Sequence, residues 1–369
     1  MASTLNTQIK KVFKKGYKKL RDTIPVESGN YPYVTARIKA KKALLYPKEM
    51  YAKMLQMDIP AIARIIGEGE YKKEILRLSP RLSGVDLIEA TTFENLARVF
   101  TQIIEFSEGH LKIMLQAYLD RWDVRNIKTI LRGKFYKASA QEIMDNLVPA
   151  GSLPDYFLYE LAGMETVEDI FNNLEDTLFS RTLTYIDKEP SELTNLAEYE
   201  DSLSHLYYEE LLWTIEPSTF GSKLFLNFVR EEMDMLNLKT LLRLWFQKAT
   251  PEREVFLDGG METKKEDLRA MLSLDYPAIL NRLSEYSFYE DIAEDLKLLK
   301  EVGISRMFRR LERAHMARTT RYAHLYPLSI IPVLDFIVAK EREVQNLRII
   351  ARGKESNLPT DVIKDMLVM

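Results

Sequence analysis

The sequence Asp-Val-Arg-Asn-Ile-Lys-Thr-Ile-Leu-Arg-Gly-Lys, at residues 123–134, occurs in this chain in three related copies. The second copy, residues 234–243, reads Asp-Met-Leu-Asn-Leu-Lys-Thr-Leu-Leu-Arg, and the third, residues 343–354, reads Glu-Val-Gln-Asn-Leu-Arg-Ile-Ile-Ala-Arg-Gly-Lys. Each copy has an acid, an asparagine three residues later, an aliphatic residue, a base, and an arginine six residues past the asparagine. We call this pattern the signature. Its asparagines are spaced by 111 and 109 residues, which indicates an internal repeat.

A second self-similarity supports the repeat. Residues 48–62 align without a gap on residues 265–279, with eight of fifteen positions identical. A looser copy, one residue longer, covers residues 164–175. We therefore predict a basic N-terminal extension followed by three pseudo-symmetric helical repeats of about 110 residues. The predicted boundaries are 1–30 for the extension and 31–137, 138–248 and 249–369 for the repeats.

The composition favours an all-α fold. The 369 residues include 14 glycines and 14 prolines, 46% are apolar, and no segment shows the sustained alternation that is typical of strands. The longest apolar run, residues 328–339, is interrupted by Pro332 and Asp335 and is too short to cross a bilayer of about 30 Å. The N-terminal region lacks the apolar segment of a signal peptide. We expect a soluble, cytoplasmic protein.

Several kinds of chemistry are excluded by the residue types. There is no cysteine, which rules out thiolate nucleophiles, thiolate metal sites and disulfides. The four histidines lie far apart and form no metal-ligand pair. The glycines at residues 67–69 and 259–260 match neither the phosphate-binding loop nor the dinucleotide-binding pattern. We therefore expect no catalytic residue, no bound cofactor and no metal.

The charge is unevenly distributed along the chain. Residues 1–48 carry a net charge of +10, although the whole chain carries −3. Within this arm, residues 4–24 have the apolar spacing of a basic amphipathic helix. Such a helix is either a solvated leader or a segment that contacts a membrane surface or the acidic face of a partner. The sequence leaves both interpretations open.

Helical geometry interprets the signature at 100° per residue. In the first copy, Ile127, Ile130 and Leu131 share one face and are expected to be buried. Lys128 and Arg132 share the opposite face. The asparagine lies at the edge of the apolar face, where it can satisfy a backbone group of another element, and Gly133 is expected to end the helix.

The basic face has two interpretations. Cations near a helix C-terminus complement the helix dipole, at about 0.3–1 kcal/mol each. Alternatively, three copies of one basic face could line a socket for the acidic surface of a partner. The candidate partner-interface residues are Lys128, Arg132, Lys239, Arg243, Arg348 and Arg352, together with Arg37 and Lys41 of the helix predicted from Tyr33.

The order of features from residue 31 to residue 369 resembles the C subunit of archaeal and bacterial A/V-type ATP synthases, a relative of the d subunit of vacuolar proton pumps. The resemblance rests on Tyr-Pro-Tyr-Val-Thr-Ala-Arg-Ile-Lys-Ala-Lys-Lys at residues 31–42, on residues 48–62, and on the three signatures. It implies a non-catalytic, funnel-shaped, all-helical body on the cytoplasmic side of the cell membrane. Its partners would be the membrane rotor-ring subunits and the central stalk subunits, with only peripheral membrane contact, and ATP synthesis or hydrolysis would be coupled to ion transport.

Two other functions remain open from the residues alone. One is a helical-repeat scaffold of an unrelated assembly. The other is a nucleic-acid-binding protein, suggested by the basic arm and by an arginine-rich stretch at residues 306–321. The acidic remainder of the chain and the absence of motifs that combine aromatic and basic residues argue against nucleic acid as a partner.

Overall fold

The computed structural model describes residues 28–175, 177–182, 196–251, 253–299 and 303–368. In these residues the regular structure is helical and no strand is present, so the all-α prediction is confirmed. The segment predicted as a basic amphipathic helix lies outside the described residues. The α-helices are α1 Tyr31–Lys42, α2 Lys48–Met54, α3 Ile59–Glu68, α4 Lys72–Leu78, α5 Gly84–Glu105, α6 Gly109–Leu119, α7 Arg121–Phe135, α8 Ala140–Met144, α9 Asp155–Gly163, α10 Val167–Asn173, α11 Leu196–Thr214, α12 Phe220–Gln247, α13 Lys265–Met271, α14 Tyr276–Leu283, α15 Tyr289–Lys297, α16 Ile304–Leu325, α17 Ile331–Glu355 and α18 Thr360–Met366. A 3-10 helix spans Leu178–Arg181.

The two aligned segments form the same pair of helices. Residues 48–62 contain α2 and the start of α3, and residues 265–279 contain α13 and the start of α14. Asp58 and Asp275 cap the second helix of each pair by accepting a hydrogen bond from the backbone three residues later. A proline follows within the first turn of each, where its missing N–H costs nothing. Their identical residues thus encode the same turn.

All three signature helices end in the same way. Lys137, Lys248 and Asn357, each eleven residues past the signature asparagine, have positive φ values of 57°, 54° and 52°. The next residue in each case donates a backbone hydrogen bond back to residue 133, 244 or 353. This is a Schellman ending formed without glycine at the left-handed position.

The prediction that Gly133 ends the first signature helix is therefore wrong, because α7 continues to Phe135. A Cβ atom on Gly133 would lie 2.3 Å from Ile143 Cγ1 of α8, and one on Gly353 would lie 2.7 Å from the same atom of Ile363 in α18. Glycine stands at these positions because a short following helix packs directly on the backbone.

The chain divides into two compact units. Counting only the described residues, one unit contains those from 28 to 31 and from 97 to 223, and the other contains those from 32 to 96 and from 224 to 368. The second unit is therefore built from two separate parts of the chain. These units describe packing, whereas the predicted repeats describe sequence similarity. The repeat boundaries and the funnel shape stay predictions.

The apolar faces of the signature helices are buried, as the periodicity predicts. Ile127, Ile130 and Leu131 are at most 1% exposed in the first unit. In the second unit, Leu238, Leu241 and Leu242 belong to a core shared with α13–α16. Leu347, Ile350 and Ala351 belong to a core shared with α2, α3, α5 and α18. The third signature therefore packs on helices that lie near the beginning of the chain.

Candidate functional site: the three signature helices

Each signature asparagine makes the same pair of hydrogen bonds. Asn126 Nδ2 donates to the carbonyl of Val148 at 2.7 Å, and its Oδ1 accepts from the N–H of Val148 at 2.8 Å. Asn237 makes this pair with Leu257 at 2.9 and 2.7 Å, and Asn346 makes it with Val368 at 2.9 and 3.0 Å. All three amides are at least 98% buried. The prediction that the asparagine satisfies backbone groups is confirmed.

The first two signature acids each hold a backbone segment that lies 28–30 residues further along the chain. Asp123 Oδ2 accepts hydrogen bonds from the N–H and hydroxyl of Ser152 at 2.7 and 3.0 Å and from Leu153 N–H at 3.1 Å. In the second copy, Asp234 Oδ2 accepts from Glu262 N–H at 2.9 Å, and its Oδ1 accepts from the N–H and hydroxyl of Thr263 at 3.0 and 2.6 Å. A glycine precedes each bonded segment, because a Cβ on Gly151 or Gly260 would lie 2.2–2.3 Å from the carboxylate.

The third signature acid makes its contacts near the beginning of the chain. Glu343 Oε2 accepts from Tyr46 N–H at 2.6 Å. Glu343 Oε1 accepts from Tyr71 Oη at 2.6 Å and from Lys340 Nζ at 2.8 Å. Lys340 Nζ also donates to Tyr71 Oη at 2.9 Å and lies 4.1 Å from the centre of its ring. Burial, and then the charge of Glu343, raise the pKa of Tyr71 well above its usual value, so the phenol remains a donor.

A third contact also recurs, eight residues past each asparagine. Lys134 Nζ donates to the carbonyl of Ala162 at 2.5 Å, and Lys354 Nζ donates to the carbonyl of Leu55 at 2.8 Å. In the second copy the donor is Trp245 Nε1, which is 2.8 Å from the carbonyl of Leu274. These carbonyls lie at or just beyond the ends of α9, α2 and α13, where helix geometry leaves them without backbone partners. The ammonium groups of Lys134 and Lys354 and the indole N–H of Trp245 therefore each satisfy a carbonyl near the end of a helix.

In the first copy the predicted bases meet side chains of α11. Lys128 Nζ donates to Ser204 Oγ at 2.6 Å, and burial lowers the pKa of its ammonium group. Arg132 forms a bidentate ion pair with Glu200, with Nε 2.6 Å from Oε1 and Nη2 2.7 Å from Oε2. The Arg132 side chain is nevertheless 57% exposed.

In the other two copies the bases also contact side chains of another helix, but the partners differ. Lys239 Nζ is 2.5 Å from Glu312 Oε1 of α16, and the Arg243 guanidinium lies 5.9 Å from the ring centre of Phe308. In the third copy, Arg348 Nε is 3.1 Å from Glu89 Oε1 of α5. Arg352 also pairs with Glu89, and with Asp86 at 3.3 Å and Glu355 at 2.8 Å.

The two candidate residues of α1 lie in a different setting. Arg37 is exposed, donates to the hydroxyl of Tyr33 and lies 5.3 Å from the centre of its ring. Lys41 is half-buried one turn later. At the end of α1, Lys42 forms an ion pair with Asp335 of α17, which ties this helix to α17 within the second unit.

The site is therefore a set of three clamps, each consisting of a signature acid, its asparagine and the donor eight residues beyond. Among the described residues no group of three side chains is arranged to hold a metal ion. No described helix is both long and apolar enough to cross a membrane. The arrangement binds the chain to itself, and the exposed arginines at its edge are the parts that remain accessible to a partner.

Sequence reasoning missed the residues that complete these clamps. Glu89, Glu200 and Glu312 stand in no shared motif, and neither do Tyr71 and Lys340. The two glycines that precede the bonded turns could have been found, because each follows its signature acid by 26–28 residues. The acids could not, because a contact between residues 68 or more positions apart leaves no local periodicity.

These features define a protein that is all-α in its described residues and that makes the same asparagine contact three times. The chain belongs to the ATP synthase (C/AC39) subunit family, whose model matches residues 34–366. The C subunit of the A-type ATP synthase of Methanococcoides burtonii is 38% identical over 347 residues, covering 93% of this chain and 95% of the relative. The same protein of Methanosarcina acetivorans is 37% identical, with 98% and 97% covered. That of Haloferax volcanii is 31% identical, with 92% and 98% covered.

Proposed function

We propose that this chain is a non-catalytic central-rotor adaptor of an A/V-type ATP synthase. It links the central stalk to the membrane rotor ring on the cytoplasmic side of the cell membrane, so that ATP synthesis or hydrolysis is coupled to ion transport. Membership of the family supports a place within an ATP synthase. The adaptor role goes further than that membership and rests on what the fold is suited to do.

The observation that supports the proposal best is the recurrence of the clamp. A part that transmits torque must not yield between its segments. Each clamp joins a signature helix to another segment through buried hydrogen bonds of the asparagine amide and partly buried hydrogen bonds that the acid accepts. Buried polar groups in closed networks rigidify the elements that they join, and close-packed interiors transmit strain.

The exposed arginines of the signature are the candidate contacts with the stalk. Arg132, Arg243 and Arg352 are all exposed, although two of them also contact acids of the chain itself. A guanidinium in such an exposed pair contributes little to stability, so it can exchange its partner at small cost. Their role in binding the stalk stays a prediction.

Co-purification tests the proposal directly. The full-length chain, tagged and expressed with its complex, is expected to copurify with the membrane rotor-ring subunits and the central stalk subunits. Electron microscopy of that complex should place the chain between the ring and the stalk. A stable monomer that binds neither set of subunits would favour the unrelated-scaffold alternative.

The arginines are tested by neutral substitutions. The variant with Arg132→Gln, Arg243→Gln and Arg352→Gln is expected to bind the central stalk subunits at least tenfold more weakly, with unchanged helicity by circular dichroism. Its matched control replaces three exposed arginines outside the signature, Arg64, Arg81 and Arg306, with glutamine. Equal binding by both variants would assign the signature arginines to structure alone.

A further inference from the structure

The signature acid differs between the three copies in one respect. In the second copy both oxygens of Asp234 accept hydrogen bonds, and in the third copy both oxygens of Glu343 do so. In the first copy Oδ2 of Asp123 takes all three donors, from Ser152 and Leu153. The other oxygen, Oδ1, is buried and has no hydrogen-bond partner.

An ionised carboxylate is a poor match for this environment. Asp123 has no solvent exposure, and a charged oxygen that is buried without a donor loses its hydration without compensation. A neutral carboxylic acid fits better, because its carbonyl oxygen still accepts the donors of Ser152 and Leu153, and its hydroxyl, although also a donor, costs less to bury than a charged oxygen. Gly151 packs close enough that its Cβ, if present, would lie 2.3 Å from Oδ1, so the space beside this oxygen is filled by backbone.

Asp120, three residues before Asp123, provides a second buried carboxyl group. Asp120 is 4% exposed and accepts a hydrogen bond from Gln116 Nε2 at 2.9 Å, and the hydroxyl and N–H of Ser152 also act on it as donors. The equivalent position carries Glu231 in the second copy and Lys340 in the third. The first copy thus has two buried carboxyl groups on consecutive turns of the chain, where the third copy has an ion pair.

We propose that Asp123 is held as the neutral acid at neutral pH, and that Asp120 and Asp123 together form a buried proton-binding site. The proton allows two carboxyl groups to occupy a site that cannot accommodate two negative charges. Its loss would place a second charge beside Ser152 and loosen the turn that Asp123 holds.

The basic groups around the pair, in the part of the chain that the structure describes, contact other side chains. The cavity that Asp120 lines is also lined by Tyr207 and Glu210 of α11. Arg181 of the 3-10 helix forms an ion pair with Glu210. On α7 itself, the guanidinium of Arg121 lies over the ring of Tyr118 at 3.9 Å, and that of Arg125 lies over the ring of Trp122 at 4.2 Å.

The expected pKa values agree with this geometry. Burial raises the pKa of Asp120 to about 6. Burial first, and then the charge of Asp120, raise the pKa of Asp123 well above its usual value, although the hydrogen bonds from Leu153 and Ser152 oppose this rise. Burial also raises the pKa of Asp234, although the hydrogen bonds from Thr263 and Glu262 oppose this rise.

Matched asparagine substitutions test the proposal. In Asp123→Asn the amide NH2 takes the place of the hydroxyl, so hydrogen exchange in residues 148–154 at pH 7 should stay within about twofold of the parent. In Asp234→Asn the NH2 must face an N–H donor of Glu262 or Thr263. Exchange in residues 259–264 should then rise about 10- to 100-fold. A comparable rise in Asp123→Asn would overturn the proposal.

Infrared spectroscopy of the unmodified protein gives an independent readout that does not depend on a variant. A protonated carboxyl group has a C=O stretch separate from that of carboxylates. Such a band is expected at pH 7, and the difference spectrum against Asp123→Asn should assign it to Asp123. A parent spectrum without the band would show that Asp123 is ionised and would reject the proposal.

Discussion

The starts of the first and third signatures occupy equivalent positions and bury an acid in opposite ways. In the third copy the ammonium group of Lys340, one turn earlier, balances the charge of Glu343, and the hydroxyl of Tyr71 donates a hydrogen bond to it. In the first copy the residue one turn earlier is Asp120, itself an acid. A repeated backbone contact therefore constrains the shape of a site but not its charge, which each copy can balance with a cation or with a proton.

Breaking the ion pair of the third copy should cost the most stability. Lys340→Met should destabilise the second unit by about 3–5 kcal/mol, because Glu343 would remain buried without its counter-charge. Denaturant unfolding, with hydrogen exchange of residues 340–350 as the local probe, measures this loss.

The equivalent change in the first copy should have the opposite sign. Asp120→Asn removes a buried charge and keeps an oxygen for Gln116, so at pH 7 it should leave the first unit as stable or more stable. A cost below about 1 kcal/mol for Lys340→Met, or a clear cost for Asp120→Asn, would contradict this contrast between the copies.

The asparagine contact is the part that the copies share, and its removal should cost similar amounts in each. Asn126→Ala leaves the buried N–H of Val148 without a partner, although the N–H of Ala150 still bonds its carbonyl, and Asn346→Ala leaves both the N–H and the C=O of Val368 without one; each change should cost about 2–3 kcal/mol. The matched control is Asn146→Ala, whose exposed amide bonds one backbone carbonyl and should cost less than about 0.5 kcal/mol. Thermal and denaturant unfolding provide the measurement, and a large difference between the two copies would argue against a shared clamp.

The stability of the first unit should depend on pH through Asp120. The folded pKa of Asp120, about 6, lies above its unfolded value, which is about 3.9. The stability that this group provides is therefore complete below about pH 4 and is lost as the pH rises through about 6. The loss should be on the order of 3 kcal/mol in the first unit.

Hydrogen exchange of residues 148–154 across this pH range, corrected for the intrinsic exchange rate, measures the effect. Asp120→Asn should flatten the profile. An unchanged profile in that variant would assign the pH dependence to other groups.

The exposed ends of the same helices should be the least sensitive to substitution. Arg132→Ala and Arg352→Ala remove arginines whose side chains are 57% and 49% exposed, so each should cost about 0.2–1 kcal/mol and less at high salt. Arg352 should lie at the upper end because it contacts three acids. Thermal unfolding at low and high ionic strength checks both values. A cost above about 2 kcal/mol would mean that these pairs are structural.

Much of the fold could be predicted because it depends on local periodicity. The buried face of Ile127, Ile130 and Leu131 follows from the 3.6-residue helical repeat. The bonding of the asparagines follows from their place at the edge of that face. The end of the first signature helix could not be predicted from Gly133 alone. There the close approach of Ile143 decided where glycine was needed, and Lys137 took the left-handed position instead.

The candidate site was predictable only in part for a related reason. The sequence identified Lys128, Arg132 and their equivalents as one basic face. It could not show that Glu200, Glu312 and Glu89 meet those faces, because these acids lie far away in the chain and in no common motif.

Residue types and spacings within a few turns were enough to predict the helical class and to find the threefold signature. Packing was needed to show that the third signature clamps residues near the beginning of the chain. Packing also showed that Asp123, alone among the three acids, keeps one oxygen without a donor. A carboxyl group's charge state depends on the donors and charged neighbours that surround it in the folded chain. Those groups lie on segments distant in sequence, and local periodicity does not show which distant segments contact each other.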